Sequence, residues 1–442
     1  MCCHSRYLRL ENPMRIIVFR AALAVSVTLA ACSSGPPADS SRDEKNANSA
    51  TTLAATASGD TSADSAQIGR LANQVARRVL RIRRGDVVMI VGGTHTIPTM
   101  EALALETEKA GGLESMLLLS DRVTRAVLRQ VPEENLGTPA TYFAEWLRST
   151  TVYIGLPAAA DPKGTFAEVP EAKLAKWFAR FDATYDMLNG SRVRGTYIDY
   201  PSAGAAAAVG MEPDVYTRMQ LAAIGADPGA MAQSGRALEA KFRNARSVRI
   251  TSPAGTDFKV TLANRSAIVD AGMLEPGAER EKIFAKRWVV LPGGNVGVAP
   301  RETSATGVIV TPKDICKFRP VRDARYEFSD GKVTSVTAKE GEACLKEVLE
   351  PYGPGIKQVG SLGVGLNPEL KVVEEGGDYR PWNAAGMVGV FLGDNTLMGG
   401  TNKVKAAAGV GLPIPRATVE VDGEVVVRDG KLVSSEVAAS QR

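Results

Sequence analysis

One short stretch, Gly85-Asp-Val-Val-Met-Ile-Val91, constrains the fold of this 442-residue chain most strongly. It is a continuous apolar run of strand length that ends at Gly92-Gly93, and a helical pattern follows it. Apolar residues at helical spacing also precede it, namely Ile68, Leu71, Val75 and Val79. A strand, a glycine turn and a helix in this order are typical of the beginning of a doubly wound α/β domain.

The sequence changes character near residue 245, where apolar runs begin to alternate with turn residues. The strands predicted beyond this point are Ser247–Thr251, Phe258–Leu262, Trp288–Leu291 and Val419–Val427. We therefore predict an α/β protein. Residues 66–245 form an N-terminal doubly wound α/β domain, and residues 246–442 form a mixed β-rich domain of α+β, barrel-like character.

The first 31 residues resemble a bacterial signal peptide. A basic segment, Met14–Arg20, precedes a short apolar run, Ala21–Ala31, that is too short to span a bilayer. Leu29-Ala-Ala-Cys32 looks like a lipobox, which predicts a lipidated Cys32 that anchors the protein to a membrane; an ordinary signal peptide with a chance cysteine is the alternative. Residues 32–65 are poor in bulky apolar side chains and are predicted to form a disordered tether.

Two further expectations concern this leader. Met14 is an alternative start, and it would remove Cys2, Cys3 and His4 from the protein. Ser33 follows the anchor cysteine, which favours an exported protein on the periplasmic face of the outer membrane if the source has two membranes.

The number of cysteines and the net charge indicate whether the chain contains a disulfide and whether it binds nucleic acid. Only Cys316 and Cys344 remain after Cys32, and an even pair in an exported chain predicts a disulfide. A hairpin around Asp330-Gly331 would bring the two cysteines close, whereas two unpaired buried thiols are the alternative. The formal net charge is +4, without a basic block, so we predict no nucleic-acid partner.

Histidine is scarce, because His95 is the only one after Cys32. It lies in the turn Gly92-Gly93-Thr94-His95-Thr96, where a helix N-terminus could hold an anion. The glycine spacing of a nucleotide-binding loop is missing. We therefore expect Thr94 or Thr96 to cap the helix and His95 to be a solvated loop side chain.

An ordered set of motifs resembles the thermophilic metalloaminopeptidases of the aminopeptidase T and aminopeptidase S family. The resemblance runs from about Ile68 to the C-terminus. The motifs are Gly85–Val88, Tyr200–Ala203, Val209–Tyr216, Val248–Asp257, Leu291–Pro300, Ser361–Pro368, Gly386–Gly393 and Gly399–Asn402.

The resemblance implies a homodimer whose subunits shield each other's sites, and a centre with two divalent metals that cleaves an N-terminal residue from peptides. It also implies glutamate, histidine and aspartate ligands in the C-terminal domain. The corresponding positions here are Asn295, Ser361, Gly389, Ala407 and Gly409, and an expected tyrosine falls near Thr396. None of these is a carboxylate or an imidazole, so we predict neither a metal nor another cofactor.

Several alternatives remain open at this point. A misplaced alignment could hide a ligand among Asp394, Asp378, Glu374 and Glu375, and Ser361 could pair with Lys403 or Lys405 as a nucleophile and base. The favoured hypothesis is a pseudoenzyme that binds a peptide, a small molecule or a partner protein through Asn295, Ser361 and Asn402. The second hypothesis is an active aminopeptidase or related hydrolase with an altered or relocated metal or acidic site.

Overall fold

The computed structural model describes residues 61–262, 264–372, 381–404 and 408–433. Several predictions concern residues outside these ranges, namely the signal peptide, Cys32, most of the tether, Glu374, Glu375, Asp378, Lys405 and Ala407. Within the described ranges, no helix combines the length and the apolar character that crossing a bilayer requires.

Four strands of the N-terminal part and one later strand form a five-stranded parallel sheet in the order β2-β1-β3-β4-β8. Its strands are β1 (Val87–Gly93), β2 (Leu113–Leu119), β3 (Val152–Gly155), β4 (Arg194–Ile198) and β8 (Trp288–Leu291). The helices are α1 (Thr61–Gln74), α2 (Ile97–Lys109), α3 (Asp121–Gln130), α4 (Thr141–Arg148), α5 (Pro162–Phe166), α6 (Glu171–Ala179), α7 (Asp182–Gly190), α8 (Ala203–Ala208), α9 (Pro213–Ile224), α10 (Pro228–Phe242) and, further along the chain, α11 (Glu342–Val348).

Both faces of this sheet are covered, which explains the unbroken apolar run of β1. Val88 and Ile90 pack in one apolar cluster, with α1 and α2. Met89 and Val91 face the opposite way and pack with α4 and α7. Because successive strand residues point to opposite faces, a strand buried on both sides must be apolar throughout. The predicted doubly wound α/β architecture is confirmed.

Strand β8 lies in a different sheet from the one we predicted. The sequence groups Trp288–Leu291 with the C-terminal strands, but the structure pairs it in parallel with β4, with Val289 opposite Thr196. The prediction was wrong because an apolar run specifies a buried strand without specifying its partner. The N-terminal sheet therefore takes its last strand from beyond residue 245.

The C-terminal part contains two antiparallel sheets. The larger has the order β12-β11-β10-β6-β5-β16-β17-β18, and the smaller has the order β15-β14-β13-β9-β7. Their strands are β5 (Ser247–Thr251), β6 (Asp257–Thr261), β7 (Ile268–Asp270), β9 (Asn295–Val298), β10 (Thr306–Cys316), β11 (Arg319–Ser329), β12 (Lys332–Thr337), β13 (Val359–Gly365), β14 (Val388–Gly393), β15 (Gly409–Ile414), β16 (Thr418–Val421), β17 (Glu424–Arg428) and β18 (Lys431–Leu432). Buried residues of both sheets share one apolar core, so the predicted β-rich part is present.

The two cysteines are joined in this part of the molecule. Cys316 ends β10 and Cys344 lies in α11, with a Cα–Cα distance of 6.0 Å and a disulfide between them. Asp330 and Gly331 form the turn between β11 and β12 with φ angles of 50° and 81°. Positive φ at both positions matches the Asp-Gly hairpin turn that the sequence predicts.

A buried ion pair ties β1 to β4 at one end of the parallel sheet. Arg194 donates two hydrogen bonds to Asp86, with Nη1–Oδ1 and Nη2–Oδ2 distances of 3.1 and 2.6 Å, and each residue is 5% exposed. Burial raises the pKa of Asp86, but hydrogen bonds, chiefly from Arg194, outweigh it, and the net pKa is lowered. The Asp86 carboxylate therefore keeps its charge inside the fold.

We expect Asp86→Asn to lower the free energy of unfolding by about 3–5 kcal/mol, because it leaves the Arg194 guanidinium buried without its counter-charge. The matched control is Asp257→Asn, which breaks the exposed bidentate pair of Arg249 and Asp257 and should cost little. Urea unfolding of both variants measures the difference. Equal losses would contradict this description of the buried pair.

Candidate functional site

A cleft of about 190 Å³ lies where the parallel sheet meets the smaller antiparallel sheet. The first residue after β4, Asp199, contributes to it, and so do residues of β7, β8, β9, β13 and β14. The segment that begins at Pro381 forms a further wall. The lining combines apolar and aromatic side chains with a few polar groups, which is the usual composition of a small-molecule site.

Two of the predicted site residues meet in this cleft. Asn295 begins β9 and Ser361 lies in β13, and both line the cavity. The neighbouring strands are paired so that Asn295 is opposite Gly365. Antiparallel pairing of β9 with β13 therefore brings together two positions that are 66 residues apart in the sequence, 361 minus 295.

Asn402, which we predicted for the same pocket, lies elsewhere. Its side-chain amide donates to the carbonyl oxygens of Gly355 and Gly393 at 2.9 and 2.7 Å, and it is absent from the cleft lining. These hydrogen bonds hold the loop that contains Asn402 against the end of β14. The prediction failed because a position in a motif does not determine the direction of its side chain.

Gly389 lies in β14 beneath the indole of Trp382. A Cβ atom at Gly389 would come within 2.8 Å of Cε3 and Cζ3 of that ring. Trp382 in turn packs on Phe391, with a ring-centroid distance of 4.9 Å. The aromatic ring therefore fills the space that a side chain at Gly389 would need.

The remaining predicted positions do not form a second site in the described part of the chain. Gly409 begins β15 and pairs with Gly393. Asp394 is buried and accepts hydrogen bonds from the amides of Thr396 and Val404, at 3.0 and 2.8 Å, so its carboxylate holds a loop. Lys403 is not part of the cleft that Ser361 lines, which gives no support to a serine–lysine pair.

Two aspartates that the sequence reasoning missed are the ionisable groups of the described cleft lining. Asp199 follows the last residue of β4, and Asp270 is the last residue of β7. The backbone amide of Asp199 donates to the carbonyl oxygen of Leu291 at 2.7 Å, which holds it at the end of β8. A polar residue directly after a buried parallel strand was the available signal, since ligands bind at that edge of such sheets.

The two carboxylates have different surroundings. Burial raises the pKa of Asp199 from its usual 3.8 to about 7. Burial also raises the pKa of Asp270, to about 6, although the amides of Val290 and Gly272 each donate to this carboxylate at 2.8 Å and lower its pKa. Asp270 is thus held by the backbone, whereas Asp199 is subject mainly to desolvation.

His95 is not the solvated side chain that we predicted. It is half-buried, and its two ring nitrogens are shielded from solvent without a hydrogen bond to any described residue. Burial lowers its pKa, which Asp121 partly offsets. Thr96 precedes α2 but its hydroxyl donates to the Gly93 carbonyl at 2.8 Å, so the predicted threonine cap is also absent.

A two-metal centre does not fit these residues. The described ranges contain no group of three or more histidine, cysteine, aspartate or glutamate residues placed to hold a metal ion. The predicted ligand positions in the cleft offer an amide and a hydroxyl, which are poor donors to transition dications. Trp382 also covers Gly389.

A doubly wound parallel sheet joined across a cleft to antiparallel sheets is the architecture of aminopeptidase T, and it defines the structural class of this chain. Residues 64–365 match the family described as thermophilic metalloprotease (M29), and the chain belongs to that family. The resemblance noted in the motifs is thereby confirmed.

Solved structures share this fold. Wild-type AmpT from Thermus thermophilus superposes with a TM-score of 0.67 and 19% identity, covering 84% of this chain and 99% of that chain. The 2,5-dihydroxypyridine dioxygenase from Pseudomonas putida KT2440 gives a TM-score of 0.56 and 16% identity. The match covers 86% of this chain and 99% of that chain. At these identities the likeness shows the fold alone.

A curated relative also matches part of the sequence. The 2,5-dihydroxypyridine 5,6-dioxygenase of Pseudomonas putida is 27% identical over 217 residues, which is 45% of this chain and 58% of that protein. The chain thus matches less than two thirds of that relative's length.

Asp199→Asn should raise the stability of the protein strongly at about pH 8 and only slightly at about pH 4. The carboxyl has a higher pKa in the folded state, about 7, than its usual 3.8, so its ionisation begins to destabilise the fold as the pH rises above 3.8 and does so fully above 7. At about pH 8 this penalty is on the order of 4 kcal/mol. Urea unfolding at both pH values measures it.

Asp270→Asn is the matched comparison for that experiment. Both Asp270 oxygens accept a backbone amide, and an asparagine can offer only one acceptor, so the lost hydrogen bond should offset the relief of the buried charge at about pH 8 and leave a smaller gain than in Asp199→Asn. A gain at high pH in Asp270→Asn as large as that in Asp199→Asn, or no gain in Asp199→Asn, would contradict the assigned environments.

Gly389→Ala should cost about 1–3 kcal/mol of unfolding free energy, because the new methyl group displaces the Trp382 ring. The cost should largely disappear in a Trp382→Leu background. A double-mutant cycle measured by urea unfolding tests this coupling. Additive effects of the two substitutions would show that Trp382 does not occupy the space above Gly389.

Proposed function

We propose that this protein binds a small ligand in the cleft between its sheets and lacks the metal-dependent peptidase activity of its family. One observation carries the proposal: Asn295 and Ser361, at two expected metal-ligand positions, line an open cleft with neutral side chains. The burial of Gly389 under Trp382 supports the same reading. The cleft is retained while the donor set for two cations is missing.

The chemistry of metal binding supports this proposal. Two divalent cations lose most of their hydration in a protein site, and anionic ligands normally offset that cost. Of the two aspartates in the cleft, Asp270 already accepts two backbone amides. Asp199 alone cannot provide the bridging and terminal carboxylates that paired metals require.

The shape and composition of the cleft favour a small molecule over a protein partner. Its volume is about 190 Å³, and Trp288, Trp382, Phe391 and Leu397 contribute apolar walls. A folded partner needs an extended contact area rather than a recess of this size. Binding of a small molecule is therefore the form of the pseudoenzyme hypothesis that we put forward.

A second candidate is an enzyme that uses Asp199 and Asp270 in acid–base chemistry. Their pKa values of about 7 and 6 lie near neutral pH, where a carboxyl group can both accept and donate a proton. The Pseudomonas putida relative is named a dioxygenase, so non-hydrolytic chemistry on this fold has a precedent. This candidate corresponds to the relocated acidic site of the second hypothesis.

We also propose the cellular setting that the leader sequence suggests. Cys32 would carry the lipid anchor, and the residues between Cys32 and α1 would tether the folded part, a shorter tether than predicted because α1 already begins at Thr61. The protein would reside in the cell envelope on the periplasmic face of the outer membrane. The homodimer implied by the family resemblance is part of the same proposal. Metabolic labelling with a palmitate analogue, compared between the wild type and Cys32→Ser, tests the anchor.

Metal analysis and a peptidase assay separate the two candidates. We expect the purified protein to contain less than stoichiometric zinc, cobalt, manganese and iron, and to release no leucine from a chromogenic leucine amide with added cobalt. A leucine aminopeptidase of established activity serves as the positive control. Stoichiometric metal together with turnover would overturn the proposal. Metal-free turnover that Asp199→Asn abolishes would favour the acid–base enzyme.

A further inference from the structure

We infer that the ligand of this cleft is a small primary amine with an apolar or aromatic body. The inference rests on the proposed ligand-binding function and names the chemical class that the cleft would accept. Three independent properties of the lining support it: the sign of its charges, the unmet electrostatic requirement of one carboxylate, and the aromatic surface opposite.

The charges of the described cleft lining have a single sign. Asp199 and Asp270 are its ionisable side chains, and lysine, arginine and histidine are absent from that lining. Gln220, Asn295, Ser361 and Asn383 supply neutral polar groups. An anionic ligand would be repelled here, whereas a cation would meet complementary charge.

Asp199 is the group that most requires a cationic partner. It is 6% exposed and lines the cleft, and desolvation is the cause of its raised pKa, without a hydrogen bond or positive charge from any described residue. A buried carboxylate without a partner is unfavourable, and an ammonium group can offset that cost with a charge-assisted hydrogen bond. The ligand would thus supply the positive charge that the described lining lacks.

Asp270 provides a second, fixed acceptor. Its oxygens are held by the amides of Val290 and Gly272, both at 2.8 Å. Because a carboxylate oxygen has two lone pairs, each oxygen retains acceptor capacity after these bonds. A primary ammonium group has three donors for the carboxylate and neutral oxygens of this lining, more than a secondary or tertiary amine offers.

The apolar body of the ligand has preformed aromatic walls. Trp288 stacks on Phe284 at a centroid distance of 5.1 Å and also packs on Tyr153 at 5.6 Å. Trp382 packs on Phe391 at 4.9 Å. Rings held by neighbouring rings lose little freedom on binding, and their faces attract both apolar groups and cations.

Binding of a matched ligand series tests the inference. Phenethylamine, phenylethanol and phenylpropionate share an aromatic body and differ in the charge of the head group. Each is titrated calorimetrically into the full-length protein at ligand concentrations of up to about 1 mM, and the affinities are compared. Hexylamine and hexanol repeat the comparison with an aliphatic body. Asp199→Asn is the test variant, and the exposed Asp323→Asn is the matched control.

We expect the amines to bind at least roughly tenfold more tightly than the alcohols, and phenylpropionate to show no binding. Asp199→Asn should remove the preference for the amine while phenylethanol still binds, which also shows that the variant is folded. Asp323→Asn should behave like the wild type. Retention of amine affinity in Asp199→Asn would overturn the inference, and so would tighter binding of phenylpropionate.

The outcomes distinguish this inference from the function on which it rests. Binding of the alcohols or of phenylpropionate without a preference for amines would overturn the ligand class and leave the ligand-binding function standing. A failure of every compound to bind, whatever its charge, would overturn the ligand-binding function itself.

Discussion

The structure depends on the short backbone segment that passes from the parallel sheet into the smaller antiparallel sheet. β8 pairs with β4, and four residues after β8 ends the chain enters β9, which pairs with β13. The turn between them is closely packed, because a Cβ at Gly293 would collide with the backbone of Gly272, and Gly294 has a φ angle of 107°. Only glycine satisfies both conditions at low cost.

This junction also builds the cleft. The carbonyl oxygen of Leu291 accepts the Asp199 amide, and the carboxylate of Asp270 accepts the Val290 amide. On the far side, the amide group of Asn383 donates to the Pro292 carbonyl at 2.7 Å. Asp199, Asp270 and Asn383 are thus all hydrogen-bonded to the backbone of residues 290–292. The glycine junction therefore helps to fix the shape of the cleft.

The sequence predicted those features that depend on local chemistry. The apolar run of β1 and its glycine turn, the hairpin at Asp330 and Gly331, and the family motifs all have local signals. The partner of β8 has none, since pairing joins segments about 90 residues apart. Asn402 was misplaced because its motif fixes a chain position and not a side-chain direction. Asp199 was missed because the family resemblance implies ligands in the C-terminal domain only, and the strand that precedes it, Arg194–Ile198, was not predicted.

We propose that a ligand cleft has replaced the family's metal centre in this protein. Anomalous diffraction at the zinc absorption edge, from crystals soaked in a zinc salt, would locate any bound metal. We expect no anomalous peak within coordinating distance of Asn295 or Ser361, and a cleft still open between Asp199 and Trp382. A pair of strong peaks between Asn295 and Ser361, held by ligands in the positions of a two-metal site, would contradict it.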